Sequence, residues 1–187
     1  MLLPAHRLTD IPVMSLQTGT EIARIGEPII DPRQMTIVAF YVDGKALDEH
    51  PSILHVSDIR ELSDIGMIVD DSDKLMSPEG LVRLQQIIDF HFKLIGIKVI
   101  DEHGRKLGKV GDYVIEPATY TIQQLYTEQS LLKSFSTMSN VIHRSQIVSV
   151  TNDHITVSSP TVEDKAPVRA KPEAFVNPFR KGELPES

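Results

Sequence analysis

The chain has 187 residues but no cysteine and no tryptophan, and aromatic side chains make up only 5% of it. Because cysteine is absent, disulfides and thiolate metal sites are excluded, which is typical of a protein in a reducing cytoplasm. No stretch approaches about 18 uninterrupted apolar residues, so we expect no transmembrane helix. The N-terminal letters MLLPAHR lack the long apolar run of a secretory signal. We therefore expect a cytoplasmic protein whose core consists of Ile, Val and Leu.

Motifs of common enzymes are also missing. There is no G-x-S-x-G nucleophile motif, no phosphate-binding loop and no dinucleotide fingerprint. The seven histidines show no H-x-x-x-H metal spacing. The acidic run of Asp70, Asp71 and Asp73 lacks the glycine and the closing glutamate of a calcium loop, so we interpret it as solvated charge near a helix N-terminus. The sequence predicts no enzyme and no metal or cofactor site.

Charge is distributed unevenly along the chain. Residues 1–92 contain 7 Lys and Arg against 15 Asp and Glu, a balance of −8, whereas residues 93–159 contain 7 against 6, a balance of +1. An acidic surface repels phosphate backbones, so direct binding of nucleic acid by the first half is disfavoured. The alternative interpretation is that this acidity serves only solubility.

Two stretches share one pattern, in which a polar turn leads into a β-branched run that ends in an acidic residue and proline. They are residues 18–32, TGTEIARIGEPIIDP, and residues 101–117, DEHGRKLGKVGDYVIEP. The matched pairs, each 85 positions apart, are Gly19 with Gly104, Gly26 with Gly111, Asp31 with Glu116 and Pro32 with Pro117. An internal repeat of this kind indicates two copies of one module.

The pattern predicts a strand that is entered by a hairpin and bent at its glycines. Gly104 is placed at a turn that requires positive φ. In the first copy we predict strands over 11–16, 22–30, 35–42, 53–56, 58–62 and 66–69, with the first at an edge because of Pro12. His55 and His143, each two residues before a serine, lie 88 positions apart, and this repeated placement predicts a structural hydrogen bond at a strand end.

The second stretch resembles the PRC-barrel family. The residues that carry this resemblance are Asp101, Gly104, Leu107, Gly108, Lys109, Val110, Glu116 and Pro117. The first copy matches less closely, because Leu16 stands in place of the opening aspartate. Members of this family include the cytoplasmic domain of the photosynthetic reaction centre H subunit and the bacterial ribosome maturation factor. The resemblance implies small all-β barrels that bind other macromolecules and carry no catalytic residues.

We therefore predict a mainly β protein with two tandem PRC-like barrels over residues 8–76 and 93–159. The segment Ser77-Pro78-Glu79 predicts the start of a linker helix within 77–92, extending over 78–91. Its apolar stripe either packs against the barrels or binds a partner. We expect the barrels to form one compact pseudo-dimer about a pseudo-twofold axis, with the helix at the seam.

Two further segments carry expectations of their own. The loop 127–138 contains Leu131, Leu132 and Phe135 and is predicted to form a short helical lid. Residues 160–187 contain five prolines and are predicted to be a disordered tail. Within this tail, Phe175 and Phe179 either dock onto a partner or pack back on the second barrel.

The function expected from these features is that of a non-catalytic, cytoplasmic protein-binding or scaffold module. One alternative is a ribosome-associated RNA-processing or maturation factor that contacts a ribosomal protein. A second alternative, with less support, is a barrel that binds a small molecule or acts as an enzyme. The sequence does not identify the partner.

Overall fold

A computed structural model describes residues 2–44, 47, 51–79, 81–130 and 137–158. This part of the chain is mainly β, with one α-helix. The strands are β1 (Leu3–Pro4), β2 (Pro12–Ser15), β3 (Glu21–Asp31), β4 (Thr36–Asp43), β5 (Ser52–His55), β6 (Glu61–Ser63), β7 (Gly66–Val69), β8 (Leu75–Met76), β9 (Lys98–Asp101), β10 (Lys106–Glu116), β11 (Thr121–Ser130), β12 (Thr137–His143), β13 (Ile147–Val150) and β14 (His154–Val157). The helix α1 is Val82–Asp89.

All of these strands belong to one mixed sheet whose main path is β13-β14-β9-β10-β11-β4-β3-β2-β7-β6. Strands β2 with β7 and β9 with β14 pair in parallel, and the other neighbours are antiparallel. The order β6-β7-β2-β3-β4-β5 in the first half has the same connectivity as β13-β14-β9-β10-β11-β12 in the second half. Among the described residues the ladder closes neither half into a barrel, so barrel closure stays a prediction.

The two halves meet where β4 pairs with β11 at Thr36 and Thr121, which lie 85 positions apart. Here the backbone hydrogen bonds are reciprocal: the Ile37 N–H donates to the Tyr120 carbonyl (3.0 Å), and the Ile122 N–H donates to the Met35 carbonyl (2.9 Å). A reciprocal contact of equivalent residues is the geometry of a twofold axis.

Met35 and Tyr120 also share an uncommon backbone conformation, with φ of 50° and 54°. A residue in the left-handed region commonly ends the turn of a hairpin. The Tyr120 ring then packs edge-on against Phe40, with the ring centroids 6.0 Å apart. This aromatic contact joins the second half to the core of the first.

The hydrophobic core is continuous across the junction. One cluster of buried side chains includes Val13, Ile37, Phe40, Leu54, Met67 and Val69 from the first half and Leu94, Val99, Ile115, Ile122, Leu125, Ile155 and Val157 from the second. A smaller cluster forms where Leu84 of α1 packs on Ile29, Ala39 and Ile53. The helix therefore covers the outer face of β3, β4 and β5.

The structure corrects the prediction for the N-terminal region. Residues 3–4, where no strand was predicted, form β1, which pairs with β10 of the other half. Strand β2 is not at an edge, because β3 and β7 flank it. Pro12 is tolerated because it is the first residue of the strand, where an N–H is dispensable.

Helix α1 is shorter than the predicted span of 78–91. Ser77 does accept a hydrogen bond from the Glu79 N–H (3.3 Å), but this bond closes a turn, and the helix begins only at Val82 after Leu81. Pro78 therefore belongs to a bend that precedes the helix and not to the first turn of the helix.

The predicted lid over 127–138 is wrong at both described ends. Residues 127–130 continue β11 and residues 137–138 begin β12, and these two strands pair with each other. The interior of this segment, 131–136, lies outside the described residues, as do residues 45–46 and 48–50 after β4. The predicted disordered tail, with Phe175 and Phe179, also lies outside them.

Candidate functional site

The glycines of the repeated pattern serve backbone geometry. Gly19 and Gly104 adopt φ of 68° and 78°, as the turn prediction requires. Gly26 and Gly111 lie in the bent middle of β3 and β10, where a Cβ at Gly26 would lie 3.2 Å from the Tyr41 carbonyl oxygen. Gly108 also has positive φ, at the irregular pairing of β10 with β9. These positions do not converge on one site.

The acidic residues of the pattern close turns. The buried Asp31 carboxylate accepts a hydrogen bond from the Arg33 N–H (2.9 Å), directly after Pro32. At the equivalent place, before Pro117, the Glu116 carboxylate accepts one from the Thr119 hydroxyl (3.1 Å). Both contacts hold a turn in shape.

Asp101 is the most buried charged residue of the pattern. Its carboxylate accepts hydrogen bonds from the His103 N–H (2.9 Å) and the Arg105 N–H (2.8 Å) and forms an ion pair with the Arg105 guanidinium. Burial raises the pKa of Asp101, but the hydrogen bonds from Arg105 and His103 outweigh it, so its pKa is lower than usual. The residue is a structural anion.

The predicted histidine hydrogen bonds are confirmed. His55 Nδ1 accepts the Ser57 N–H (3.2 Å) and lies 2.8 Å from the Ser57 hydroxyl. His143 Nδ1 accepts the Ser145 N–H (3.3 Å) in the same way. Each histidine thereby caps a 3₁₀ turn that follows β5 or β12.

The acidic run before α1 is also accounted for by structure. Asp70 forms a bidentate ion pair with Arg60 (2.8 and 2.9 Å), which lowers the pKa of Asp70. Asp71 accepts a hydrogen bond from the Asp73 N–H (2.9 Å). Within the part of the chain that the structure describes, no group of three or more His, Asp or Glu residues is placed to hold a metal ion.

Two clefts flank helix α1. The larger, here called the arginine cleft, has a volume of about 600 Å³ and is lined by Asp31, Pro32, Arg33, Gln34, Val38, His55, Arg83, Leu84, Gln86, Ile87, Phe90 and Val150. Its wall thus comes from the turn before β4, from one face of α1 and from β13 of the second half. It lies across the junction of the two halves.

Cationic groups accumulate in the arginine cleft although the first half is acidic. Arg24, Arg60 and Lys74 form ion pairs with carboxylates elsewhere on the surface. Arg33 and Arg83 line the cleft and form no ion pair with any described residue. On the rim, the Arg144 guanidinium donates to the Gln34 carbonyl (2.8 Å). Asp31 also lines the cleft, so its lining carries two arginines against one carboxylate, an excess that favours a ligand with negative charge.

The smaller cleft, here called the apolar groove, has a volume of about 330 Å³ on the other side of α1. Its lining is Glu27, Pro28, Ile29, Ile30, Tyr41, Ile87, Ile88, His91, Phe92, Lys93, Leu94, Ile95 and Tyr113. Burial, with a smaller effect from Asp112, raises the pKa of Tyr113 far above its usual value, so the phenol stays neutral. Burial also raises the pKa of Tyr120 to about 12.

Apolar side chains are exposed around these clefts. Val82 at the start of α1 is 70% exposed, Phe90 in the arginine cleft is 43% exposed, and Ile95 in the apolar groove is 53% exposed. Sequence reasoning predicted the helix and its buried stripe but not this exposed set. The sequence does contain a sign of these exposed residues, because Val82 and Phe90 do not share the helix face of Leu81, Leu84 and Ile88. They were not singled out because a linker helix needs only one apolar face.

Comparison with protein-family models gave no match, and comparison with curated proteins gave no significant relative. Among the described residues, no helix combines the length and apolar character that crossing a bilayer requires.

Proposed function

We propose that this chain is a non-catalytic, cytoplasmic protein-binding module built from two PRC-like barrels in tandem. The observation that carries the proposal is the surface around helix α1, which two clefts flank and where Val82, Phe90 and Ile95 are exposed. Exposed apolar side chains beside a cleft are typical of interaction sites. The acidic residues and histidines that the sequence singled out are engaged in turns, caps and ion pairs; they are Asp31, Asp70, Asp71, Asp101, Glu116, His55 and His143.

The two-copy organisation is supported by three observations. Each half has the same strand order. The hydrogen bonds at Thr36 and Thr121 are reciprocal. His55 and His143 cap equivalent 3₁₀ turns. The repeat leaves α1 and the clefts beside it at the junction, where a ligand would contact both copies.

The binding surface can be tested by comparing two charge insertions. Phe90→Glu places a carboxylate in the arginine cleft, and Val148→Glu places one at a similarly exposed residue (57%) of β13. The tagged chain at native expression level should capture one dominant partner, which Phe90→Glu loses at least tenfold and Val148→Glu retains. Equal capture by both variants would show that the surface around α1 is not the interface.

The same capture experiment also tests the alternative function, that of a ribosome-associated maturation factor. A ribosomal protein as the dominant partner, together with co-sedimentation of the chain with ribosomal subunits, would support a ribosome-associated maturation factor. Binding would then occur through protein, since the first half disfavours phosphate backbones.

A second candidate is a site for a small anionic ligand. The arginine cleft has the size of a typical ligand pocket, and Arg33 and Arg83 have no described carboxylate partner. A thermal-shift screen of small carboxylates and phosphates tests it. A stabilising compound should lose its effect in Arg83→Gln and keep it in Arg7→Gln, which changes an exposed arginine outside the cleft.

A further inference from the structure

A third cleft adjoins the apolar groove. It has a volume of about 470 Å³, and Pro28, Ile95 and Tyr113 line both it and the groove. Its lining also includes the carboxylates Asp112 and Glu128, and it is here called the acidic cleft. Because Pro28 belongs to β3 and Tyr113 to β10, the two clefts meet at the junction of the two halves.

Tyr113 lies where the clefts meet, and its hydroxyl has no partner. The residue is only 3% exposed, yet the hydroxyl forms no hydrogen bond with any residue that the structure describes. Within the described part of the chain, every fully buried side-chain nitrogen or oxygen has a partner. The Tyr113 hydroxyl is therefore not sealed in the core, and its access leads into the clefts that the residue lines.

This hydroxyl can both donate and accept a hydrogen bond. Burial raises the pKa of Tyr113, so the phenol keeps its proton at any physiological pH. A neutral phenol has one O–H donor and free lone pairs on its oxygen. A ligand in the clefts therefore meets one polar group in a largely apolar wall.

The carboxylate of Glu128 is held beside this group by the shape of β10. The pairing of β10 with β11 shifts between Val110 and Asp112, which leaves Gly111 as the extra residue. A Cβ at Gly111 would lie 2.8 Å from a carboxylate oxygen of Glu128, so the missing side chain makes room for that carboxylate. Glu128 forms no ion pair with any described residue, including Lys109, which lies opposite it in the ladder.

The second carboxylate of the acidic cleft is partly engaged. One oxygen of Asp112 accepts the Tyr113 N–H (2.8 Å), and the other lies 3.2 Å from Nδ1 of His6. The Asp112 side chain is still 39% exposed, and each of its oxygens has a further lone pair. Among the described residues that line the acidic cleft there is no lysine or arginine, so its charge favours a cation.

The apolar groove supplies the complementary surface. Its wall is largely aliphatic, with Ile30 of β3 and Ile88 of α1 on one side of Leu94 and Ile95. The only charged pair in it, Lys93 with Glu27 (3.6 Å) among the described residues, is exposed and adds no net charge. An apolar chain that covers this surface is removed from water, which is favourable.

We propose that the apolar groove and the acidic cleft together bind a small amphipathic amine. Its apolar chain lies in the groove, and its primary ammonium group binds the Tyr113 hydroxyl and the carboxylates of Asp112 and Glu128. A primary ammonium group has three donors and no acceptor, and these side chains offer it three acceptors. Each cleft has a volume within the range of roughly 300–1,000 Å³ that is typical of ligand pockets.

This site is separate from the surface proposed to bind a protein. The apolar groove shares only Ile87 with the arginine cleft, and the acidic cleft shares no described residue with it. The two clefts beside Tyr113 attract a cation, whereas the arginine cleft attracts an anion. Amine binding therefore goes beyond the protein-binding function, and either can be lost without the other.

The experiment uses the full-length, isotope-labelled chain and hexylamine as the probe. Hexanol and hexanoate are the controls, since they have the same apolar chain with a neutral or an anionic head group. Hexylamine should move the backbone amide signals of Gly111, Tyr113 and Ile95, and it should bind at least fivefold more tightly than either control, because charge-assisted hydrogen bonds are the stronger ones.

Matched variants locate the ammonium group. Tyr113→Phe removes only the hydroxyl, and Glu128→Gln removes only a charge, so each should weaken hexylamine binding at least threefold. Glu61→Gln removes an exposed charge on β6, outside both clefts, and should leave the binding unchanged. The amide spectra of all three variants establish that they are folded.

Three results would overturn the proposal. Equal binding of hexylamine and hexanol would show that the site does not recognise the ammonium group. Equal losses in Glu128→Gln and Glu61→Gln would show that the amine responds only to the overall negative charge of the chain. Unchanged binding in Tyr113→Phe would show that the hydroxyl takes no part. None of these results affects the capture of a protein partner, which Phe90→Glu tests at the arginine cleft.

Discussion

The turn between β2 and β3 is one residue longer than the turn between β9 and β10, and the two turns contain different side chains. In the first, the Gly19 N–H donates to the Ser15 carbonyl (2.9 Å), and in the second, the Gly104 N–H donates to the Asp101 carbonyl (3.0 Å). The strand register shows that Ser15 and Asp101 are equivalent. Ser15 lies opposite Val69 in the parallel pair of β2 with β7, and Asp101 lies opposite Val157 in the parallel pair of β9 with β14. The residue equivalent to Asp101 is therefore Ser15, and the alignment with Leu16 was wrong by one position.

The chemistry inside the two turns differs. The Ser15 hydroxyl accepts one hydrogen bond, from the Thr18 N–H (3.3 Å). The Asp101 carboxylate accepts two shorter hydrogen bonds and also forms an ion pair with Arg105. Glycine at positive φ determines the path, and any buried acceptor at the strand end can satisfy the amides of the turn. This explains how both turns connect equivalent strands although they differ in length by one residue and in charge.

The largest effect should come from separating the two halves. Expressed alone, residues 1–76 and 93–159 should each unfold on the order of 10 °C or more below the chain 1–159, or not fold. The reason is that the core is continuous, and β1 leaves β10 when the chain is cut. Circular dichroism during thermal unfolding measures the melting temperatures of the fragments and of the chain 1–159. Fragments that melt together with the pair would show independent units.

The sequence predicted the regular parts of each half but not the contacts between them. The alternating patterns of 22–30 and 35–42 correspond to β3 and β4, because local periodicity follows burial on one face of a sheet. Strand β1 was missed, since two residues carry no periodicity and their partner lies more than a hundred positions away.

The candidate site was predicted only in part, for a similar reason. The helix and its buried Leu84 follow from spacing, whereas the arginine cleft brings together Arg33, Arg83 and Val150 from distant elements. No local signal connects such residues. The predicted start of the helix was wrong because Pro78 is compatible both with a helix start and with the turn that forms instead.

The next comparison sets Asp101→Asn against Ser15→Ala. Asp101→Asn should lower the melting temperature by roughly 5–10 °C and Ser15→Ala by roughly 2–4 °C, because charge-assisted hydrogen bonds are the stronger ones. The lowered pKa of Asp101 means that its contribution is present above the usual aspartate range and is lost as pH falls below about 4.

Measurements at acidic pH distinguish the effects of the Asp101→Asn and Ser15→Ala substitutions. The difference in melting temperature between the wild-type chain and Asp101→Asn should shrink as the pH falls below about 4. For Ser15→Ala the difference should stay constant over the same range. A pH-independent difference for Asp101→Asn would show that its charge does not stabilise the turn.

Alanine at the two turn glycines should have matched, smaller effects. Gly19→Ala and Gly104→Ala should each cost about 1 kcal/mol, because both have positive φ and a Cβ would meet no atom within 4 Å. Gly44 has less room, since a Cβ there would lie 2.7 Å from the Ile22 carbonyl oxygen. Gly44→Val should therefore destabilise at least as much as Gly104→Val, as urea denaturation would measure.

The smallest effects should come from the two histidine caps, and they should differ in a defined direction. Both imidazoles accept a serine N–H, but only His143 belongs to a capping box, in which the Gln146 side chain accepts the His143 N–H (2.8 Å). His55→Ala and His143→Ala should each cost about 0.5–1 kcal/mol in urea denaturation. The Gln146→Ala change should add a further cost of about 0.5 kcal/mol because it removes the second hydrogen bond. Asparagine retains an acceptor suited to a cap, so His143→Asn should recover most of the loss. If alanine and asparagine at position 143 are equally destabilising, the imidazole contributes by packing, and the hydrogen bond to Ser145 does not stabilise the turn.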